Sequence, residues 1–484
     1  MAHRAGPIRR QWLAPWGQGQ YRRDEALAGG PRPDGPDTSP SGSNGGAAMK
    51  RWLKDSSFRS LLKNTSYQGV SKVVAALCNL AALAFASRGL GPVGFGLLIL
   101  IQSYVLSASG IAQFQSWQVI IRFGSIALSR DDPEPLKRAI SFSLGLDLLS
   151  ALGGLVVALA LLPLLAPLLH IPRAEIPHAM AFCLILPTMA AATPIGVLRV
   201  LDRFDLMGWQ ETITPLLRGL LTGIAWALGA SFGTYLAIWF LSALSGDLYG
   251  WFMAWRELHR RGFADGIRPA FRPTTLPGAW RFAINVYLTT SMNVTAGPIA
   301  NLFVGGILGP AAAGMYRIAK GLAQAIKNPA ELLEKAFYPE VMRQDFTTKR
   351  PWNLMLRSSA VAALIGGMIC AVVLIGGQLL ITEVFGPQYL GAYPVVAIMI
   401  IATLLSAISF PVVPMLYALH RTNITVAAKF WATGVFLLSL YPLCRWAGIA
   451  GAGIAYVIGD VLGIVLMMVA LRREYVARLG TLAR

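Results

Sequence analysis

Residues 90–98 read LGPVGFGLL, and residues 308–316 read LGPAAAGMY. Leu90, Gly91, Pro92 and Gly96 match Leu308, Gly309, Pro310 and Gly314 at a constant offset of 218 residues. Each copy closes one long apolar stretch and opens the next. Two further matches follow in the same order. PIGVLRVLDR (194–203) resembles PVVPMLYALHR (411–421) with one inserted residue, and Gly246-Asp247 resembles Gly459-Asp460. One Gly-Pro match is weak, but three in order predict a duplicated chain. The glycine of each LGPxxxG motif is expected to permit a tight turn with close helix packing.

The stretches around these motifs are long enough to cross a bilayer, which takes about 20 apolar residues. Twelve spans are predicted: about 65–87, 95–116, 141–169, 179–200, 208–230, 233–254, 283–304, 312–334, 358–381, 393–418, 425–446 and 449–471. The composition agrees. Of 484 residues, 55% are hydrophobic and 13% charged, with a mean hydropathy of +0.55. A soluble globular protein carries roughly 25% charged residues. The expected fold is therefore an all-α integral membrane protein, with about twelve transmembrane helices in two six-helix parallel repeats around a central cavity. Six spans per repeat give both halves the same orientation, related by an axis along the membrane normal.

Charge placement sets the expected topology. The segment 50–63, the loops after even-numbered spans and the C-terminal end hold 28 Lys and Arg. The opposite loops hold only Arg88, Arg173 and Arg445. Basic residues accumulate on the cytoplasmic side, so both termini are expected to be cytoplasmic. The net charge of +19 is then largely topology and not a nucleic-acid footprint. Residues 1–48 are Gly-, Pro- and Arg-rich without apolar period. They read as a disordered basic tail or as a start placed upstream of the true one at Met49. The remaining units are a bundle over 49–254, a cytoplasmic linker over 255–282, a second bundle over 283–471 and a basic tail over 472–484.

Enzymatic chemistry finds no support. The four cysteines form no CxxC pair and the five histidines lack ligand spacing, so no metal or cofactor is expected. No GxxxxGK[ST], GxSxG or HExxH occurs. Polar residues inside the spans are the informative ones. In span 1, Asn64, Gln68, Lys72 and Asn79 fall within about 80° of one another at 100° per residue. Asn285, Thr289 and Asn293 recur in span 7, and Gln102, Ser109 and Gln113 share a face of span 2. In span 8, Arg317, Lys320, Gln324, Asn328 and Glu331 share a face, with Lys327 at its edge. The repeat offset sets Lys320 opposite Gln102, Lys327 opposite Ser109 and Glu331 opposite Gln113.

A lysine or arginine facing lipid at mid-bilayer costs about 2.5–3.5 kcal/mol. These stripes are therefore expected to face a watery cavity. Its candidate binding residues are Gln68, Lys72, Asn79, Gln102, Asn293, Arg317, Lys320, Gln324 and Lys327. Hydrogen bonding between neighbouring helices is the plainer role for the neutral ones. Arg218 in span 5 fits either a cavity or an interhelical partner. Asp147, Asp247 and Asp460 read first as structural; Asp247, Asp460 and Glu331 are also candidates for proton or sodium coupling. Few acids accompany the bases, so an anion is the expected guest. Pyrophosphate suits Arg and Lys.

SLLKNTSYQGVSKVVAALCNLAALAFASRGLGPVGFGLLILIQSY (60–104), the LGPxxxG motifs and ELLEKAFYPEVMR (331–343) resemble Wzx-type polysaccharide biosynthesis flippases. These are lipid-linked oligosaccharide transporters of the multidrug/oligosaccharidyl-lipid/polysaccharide exporter superfamily. The resemblance covers about 60–475. It implies two bundles around a cationic cavity, alternating access, and an undecaprenyl-pyrophosphate-linked glycan as cargo in a bacterial cytoplasmic membrane. It also implies polysaccharide polymerase and glycosyltransferases as partners. The alternatives are a drug/cation antiporter of the same superfamily, which would want cavity acids, and a non-transporting scaffold of a polysaccharide synthase complex.

Overall fold

The computed structural model describes residues 56–125, 133–189, 192–272, 276–346 and 348–479. Among them every regular element is helical. The first helical run, Ser56–Ala112, breaks at Gly91 into α1 (56–90) and α2 (92–112). Then follow α3 (Pro133–Leu165), α4 (pieces Ile176–Cys183, Leu186–Met189 and Thr193–Val200), α5 (Phe204–Ala227) and α6 (Phe232–Arg260). The second half comprises α7 (Ala279–Leu308), α8 (Pro310–Val341), α9 (Arg350–Val384), α10 (Tyr393–Ile408 and Val412–Ala418), α11 (Thr422–Ala447) and α12 (Ile449–Leu479).

Eight stretches among the described residues are long and apolar enough to cross a membrane; the first, Val73–Gly124, contains the Gly91 break. The segments outside that set, α5, α8 and most of α7, carry Arg218, Arg317, Lys320 and Asn301 inside the bundle. Their 24 to 32 residues still span about 36–48 Å at 1.5 Å per residue, more than the ~30 Å hydrocarbon core. Outward faces are apolar, with Ile375 88% and Leu438 79% exposed.

The duplication recurs in the backbone. Gly91 and Gly309 have φ 66° and 89° with extended ψ, a region open essentially to glycine. Pro92 and Pro310 then start the next helix, where the missing N–H costs nothing. The left-handed residues Asp202 (φ 57°) and His420 (φ 59°) close α4 and α10 at matching positions, as do Gly229 and Gly448 between the last two helices of each half. Side chains repeat too. Arg203 pairs with Glu257 at 2.5 Å and Arg421 with Glu474 at 2.7 Å. Thr188 donates to Asp247 at 2.9 Å, and Ser406 to Asp460 at 3.5 Å.

The turn glycines are thus Gly91 and Gly309. Gly96 and Gly314 serve the other expectation, close packing, where α2 crosses α8. A Cβ on Gly96 would run into the Pro310 carbonyl oxygen, and one on Gly314 would lie 2.9 Å from the Phe95 ring. Beside this crossing Asn301 donates to Ser103 at 3.0 Å, joining the halves in the core. At the LGP end Arg88 donates to the carbonyls of Glu383 and Val384, and the Tyr389 hydroxyl to the Ser87 carbonyl at 3.0 Å. At the opposite end Tyr287 donates to the Ile111 carbonyl at 2.7 Å and stacks on Phe114.

The stretch between the bundles is no free tether. α6 continues to Arg260, Ala270 N–H bonds the Ser141 carbonyl at 2.9 Å, and Ala264 and Leu276 are buried against the N-terminal half. Glu257, buried, meets Arg203, Arg260 and Arg261 within 4.0 Å. Glu257→Ala leaves Arg203 with Asp205 alone and removes the acid that Arg260 and Arg261 share. Breaking a buried pair costs about 3–5 kcal/mol, so a clear drop in melting temperature is expected. Glu474→Ala, at the partly exposed equivalent, should lower it less.

Candidate functional site: a cationic seam and a cavity in the C-terminal half

A cavity of about 590 Å³ lies inside the C-terminal half, between α7, α8, α10, α11 and α12. Four of the predicted residues on α8, Lys320, Gln324, Lys327 and Glu331, line it, spaced three or four residues apart on one helix face. Asp460 lines it as well. Three more polar groups join them. Glu334 extends the α8 face, Lys429 comes from the second turn of α11, and Tyr456 from α12. Lys429 counts in sequence among the basic residues after span 10 although the predicted span 425–446 contains it, and the observed start of α11 at Thr422 places it in the helix. Gly297 makes room for the cluster: a Cβ there would lie 2.5 Å from Lys320 Nζ.

The lining is balanced in charge, with Lys320, Lys327 and Lys429 facing Glu331, Glu334 and Asp460. This corrects the expectation of few accompanying acids. Among the described residues, none of these six groups is within ion-pairing distance, 4.0 Å, of an opposite charge. The equivalent cavity of the N-terminal half is smaller, about 180 Å³, and holds Arg199, Gln210, Glu211 and Asp247. Arg199 also stacks on Trp117, 4.2 Å from its ring centre.

Arg317 is not on the cavity wall. It is partly buried on α8, near enough to Arg218 on α5, across the seam between the halves, for their like charges to oppose each other. Arg218 donates to Ser242 Oγ at 3.2 Å and lies 5.2 Å from the centre of the Trp239 ring. Lys320 feels both Arg317 and Lys327. Arg317 thus has a like charge on each side, Arg218 of the other half and Lys320 of its own helix, and among the described residues no carboxylate lies within 4.0 Å of any of the three. Sequence leaves the role of Arg218 open because nothing local says which residue of the other half it will face.

The other predicted residues are elsewhere. Gln102 and Asn79 are partly buried on α2 and α1. Gln113 of the same α2 stripe donates to the Met189 carbonyl at 3.5 Å and accepts from Gln115. Ser109 is buried. That stripe ties α2 to its own half. The side chains of Gln68, Lys72 and Asn293 lie outside the described ones. Asp247 and Asp460 sit in separate cavities, one per half. Asp147, read as structural, accepts from Ser116 Oγ at 2.5 Å and from the Thr193 N–H at 2.9 Å. No group of three or more His, Cys, Asp or Glu suited to a metal occurs among the described residues.

Among the described residues, twelve helices form two parallel six-helix repeats that cross at paired glycines, a fold shared with solved membrane proteins of the multidrug/oligosaccharidyl-lipid/polysaccharide exporter superfamily. An inward-facing multidrug resistance MATE transporter of that superfamily superimposes with a TM-score of 0.66 at 15% identity, over 84% of this chain and 96% of the transporter. The lipid II flippase MurJ, inward closed, gives 0.58 at 13% identity, over 86% and 90%. The family model described as polysaccharide biosynthesis protein matches residues 61–341, and the chain belongs to that family. The inner membrane protein YghQ of Escherichia coli K12 is 38% identical over 353 residues, spanning 72% of this chain and 99% of the relative. The fold is the one that a solved multidrug transporter and a solved lipid II flippase share.

Proposed function

We propose that the protein flips an undecaprenyl-pyrophosphate-linked oligosaccharide repeat unit across the bacterial cytoplasmic membrane by alternating access, for exopolysaccharide, capsule or O-antigen assembly. The observation that carries this reading is a run of like charges, Arg218 near Arg317 and Arg317 near Lys320, with no carboxylate within ion-pairing distance among the described residues. Like charges desolvated together are costly unless a guest supplies the opposite sign. A pyrophosphate does so with several acceptor oxygens, and guanidinium matches it bidentately. With the linker end cytoplasmic, as the basic residues predict, cargo enters from that side. Release requires the LGP end to part, where Arg88, Ser87 and Tyr389 hold the halves together.

Bridging also explains how cargo would drive the cycle. The empty seam repels itself across the two halves; a bound pyrophosphate cancels that repulsion and favours their closure on it. A cation antiporter would draw on Glu331, Glu334 and Asp460, but lysines match these one for one. Lys320→Arg should retain most polymer output in a complemented null strain. Lys320→Gln, although it copies the repeat partner Gln102, should lose roughly tenfold or more, since one charged hydrogen bond to phosphate is worth about 1.5–3 kcal/mol. Equal output from both would remove Lys320 from the site.

A further inference from the structure

We infer that the cavity of the C-terminal half is the subsite for the sugar next to the pyrophosphate, and that it selects a neutral, polyhydroxylated sugar. The inference rests on the pyrophosphate reading above and adds which part of the cargo lies where. Lys320 belongs both to the seam and to the cavity wall. A phosphate held by Arg317 and Lys320 therefore leaves its first sugar at the cavity mouth. From Lys320 the polar face of α8 runs on to Glu334, about 21 Å at 1.5 Å per residue. The volume of about 590 Å³ falls in the range of small-molecule sites.

The chemistry of the wall names the guest. Among the described residues, three carboxylates and three ammonium groups face one space with no opposite charge within 4.0 Å of any of them. Hydroxyl groups satisfy both kinds, donating to carboxylates and accepting from lysines, in charge-assisted bonds about twice as strong as neutral ones. Tyr456 and Phe436 add ring surface for the apolar faces of a pyranose. Because the wall is balanced, a guest bringing its own carboxylate leaves one charge uncompensated. At the equivalent place, beside Asp247, the N-terminal half offers about 180 Å³, so the sugar lies to one side of the seam.

Native mass spectrometry of the full chain in nanodiscs tests this with three probes. They are undecaprenyl pyrophosphate, the same lipid carrying N-acetylglucosamine, and the same lipid carrying glucuronic acid. The wild type should bind the N-acetylglucosamine lipid about tenfold tighter than the sugar-free lipid, and the glucuronic acid lipid with a smaller gain. The double variant Glu334→Gln, Lys429→Met should keep its affinity for the sugar-free lipid and lose the gain. If the double variant binds no lipid, Glu334→Gln alone takes its place and should lose at least half of the logarithmic gain. A gain that survives in the variant, an equal or larger gain with glucuronic acid, or no gain with either sugar overturns the inference. Failure of the wild type to bind the sugar-free lipid instead overturns the pyrophosphate reading on which it rests.

Discussion

Removing both seam guanidiniums, Arg218→Ala together with Arg317→Ala, is expected to abolish transport while leaving the protein folded. Each guanidinium offers a charged hydrogen bond to phosphate worth about 1.5–3 kcal/mol. Losing both should cut polymer output in a complemented null strain by roughly a hundredfold or more, at about 1.4 kcal/mol per decade. A purely structural pair would behave differently on heating. Arg317 has no hydrogen-bond or ion-pair partner among the described residues and faces a like charge, so Arg317→Ala should melt no lower than the wild type. Arg218→Ala should melt slightly lower, because it gives up Ser242 and the Trp239 ring. Unchanged export by the double variant would remove the seam from the mechanism.

Gly96→Leu is expected to have the largest effect on the fold itself. Overpacking a core costs about 1–3 kcal/mol where side chains can move aside. At Gly96 the obstacle is the Pro310 carbonyl, which is backbone fixed by the Gly309 turn. The helices α2 and α8 would have to separate, straining the neighbouring Asn301–Ser103 bond between α7 and α2. The expected result is loss of monodisperse protein after detergent extraction. Gly314→Leu meets the Phe95 side chain first, at 2.9 Å, and should leave more folded protein. Normal yield and melting of Gly96→Leu would mean that the halves do not cross there.

Much of the fold is legible because it rests on local signals. Apolar length marks the spans, and the LGPxxxG offset of 218 residues marks the repeat. The division of labour between the glycines is not local: Gly91 turns the chain, whereas Gly96 matters for what lies across from it, Pro310. The α8 face is legible from its spacing, since residues three and four apart share a helix face wherever that helix packs. What the face meets depends on tertiary structure. Lys429 and Asp460 approach it from α11 and α12 and turn a cationic stripe into a balanced cavity. Arg218 reaches Arg317 only through the docking of the two halves.

Transport across a reconstituted bilayer tests the central claim most directly. Liposomes would carry undecaprenyl-pyrophosphate-linked N-acetylglucosamine in one leaflet, and a membrane-impermeant lectin would report its arrival in the other. The wild-type protein should move the lipid well above the rate of protein-free liposomes, and Arg218→Ala with Arg317→Ala should not exceed that rate. Movement by the double variant at the wild-type rate, or none by the wild type, would contradict the account.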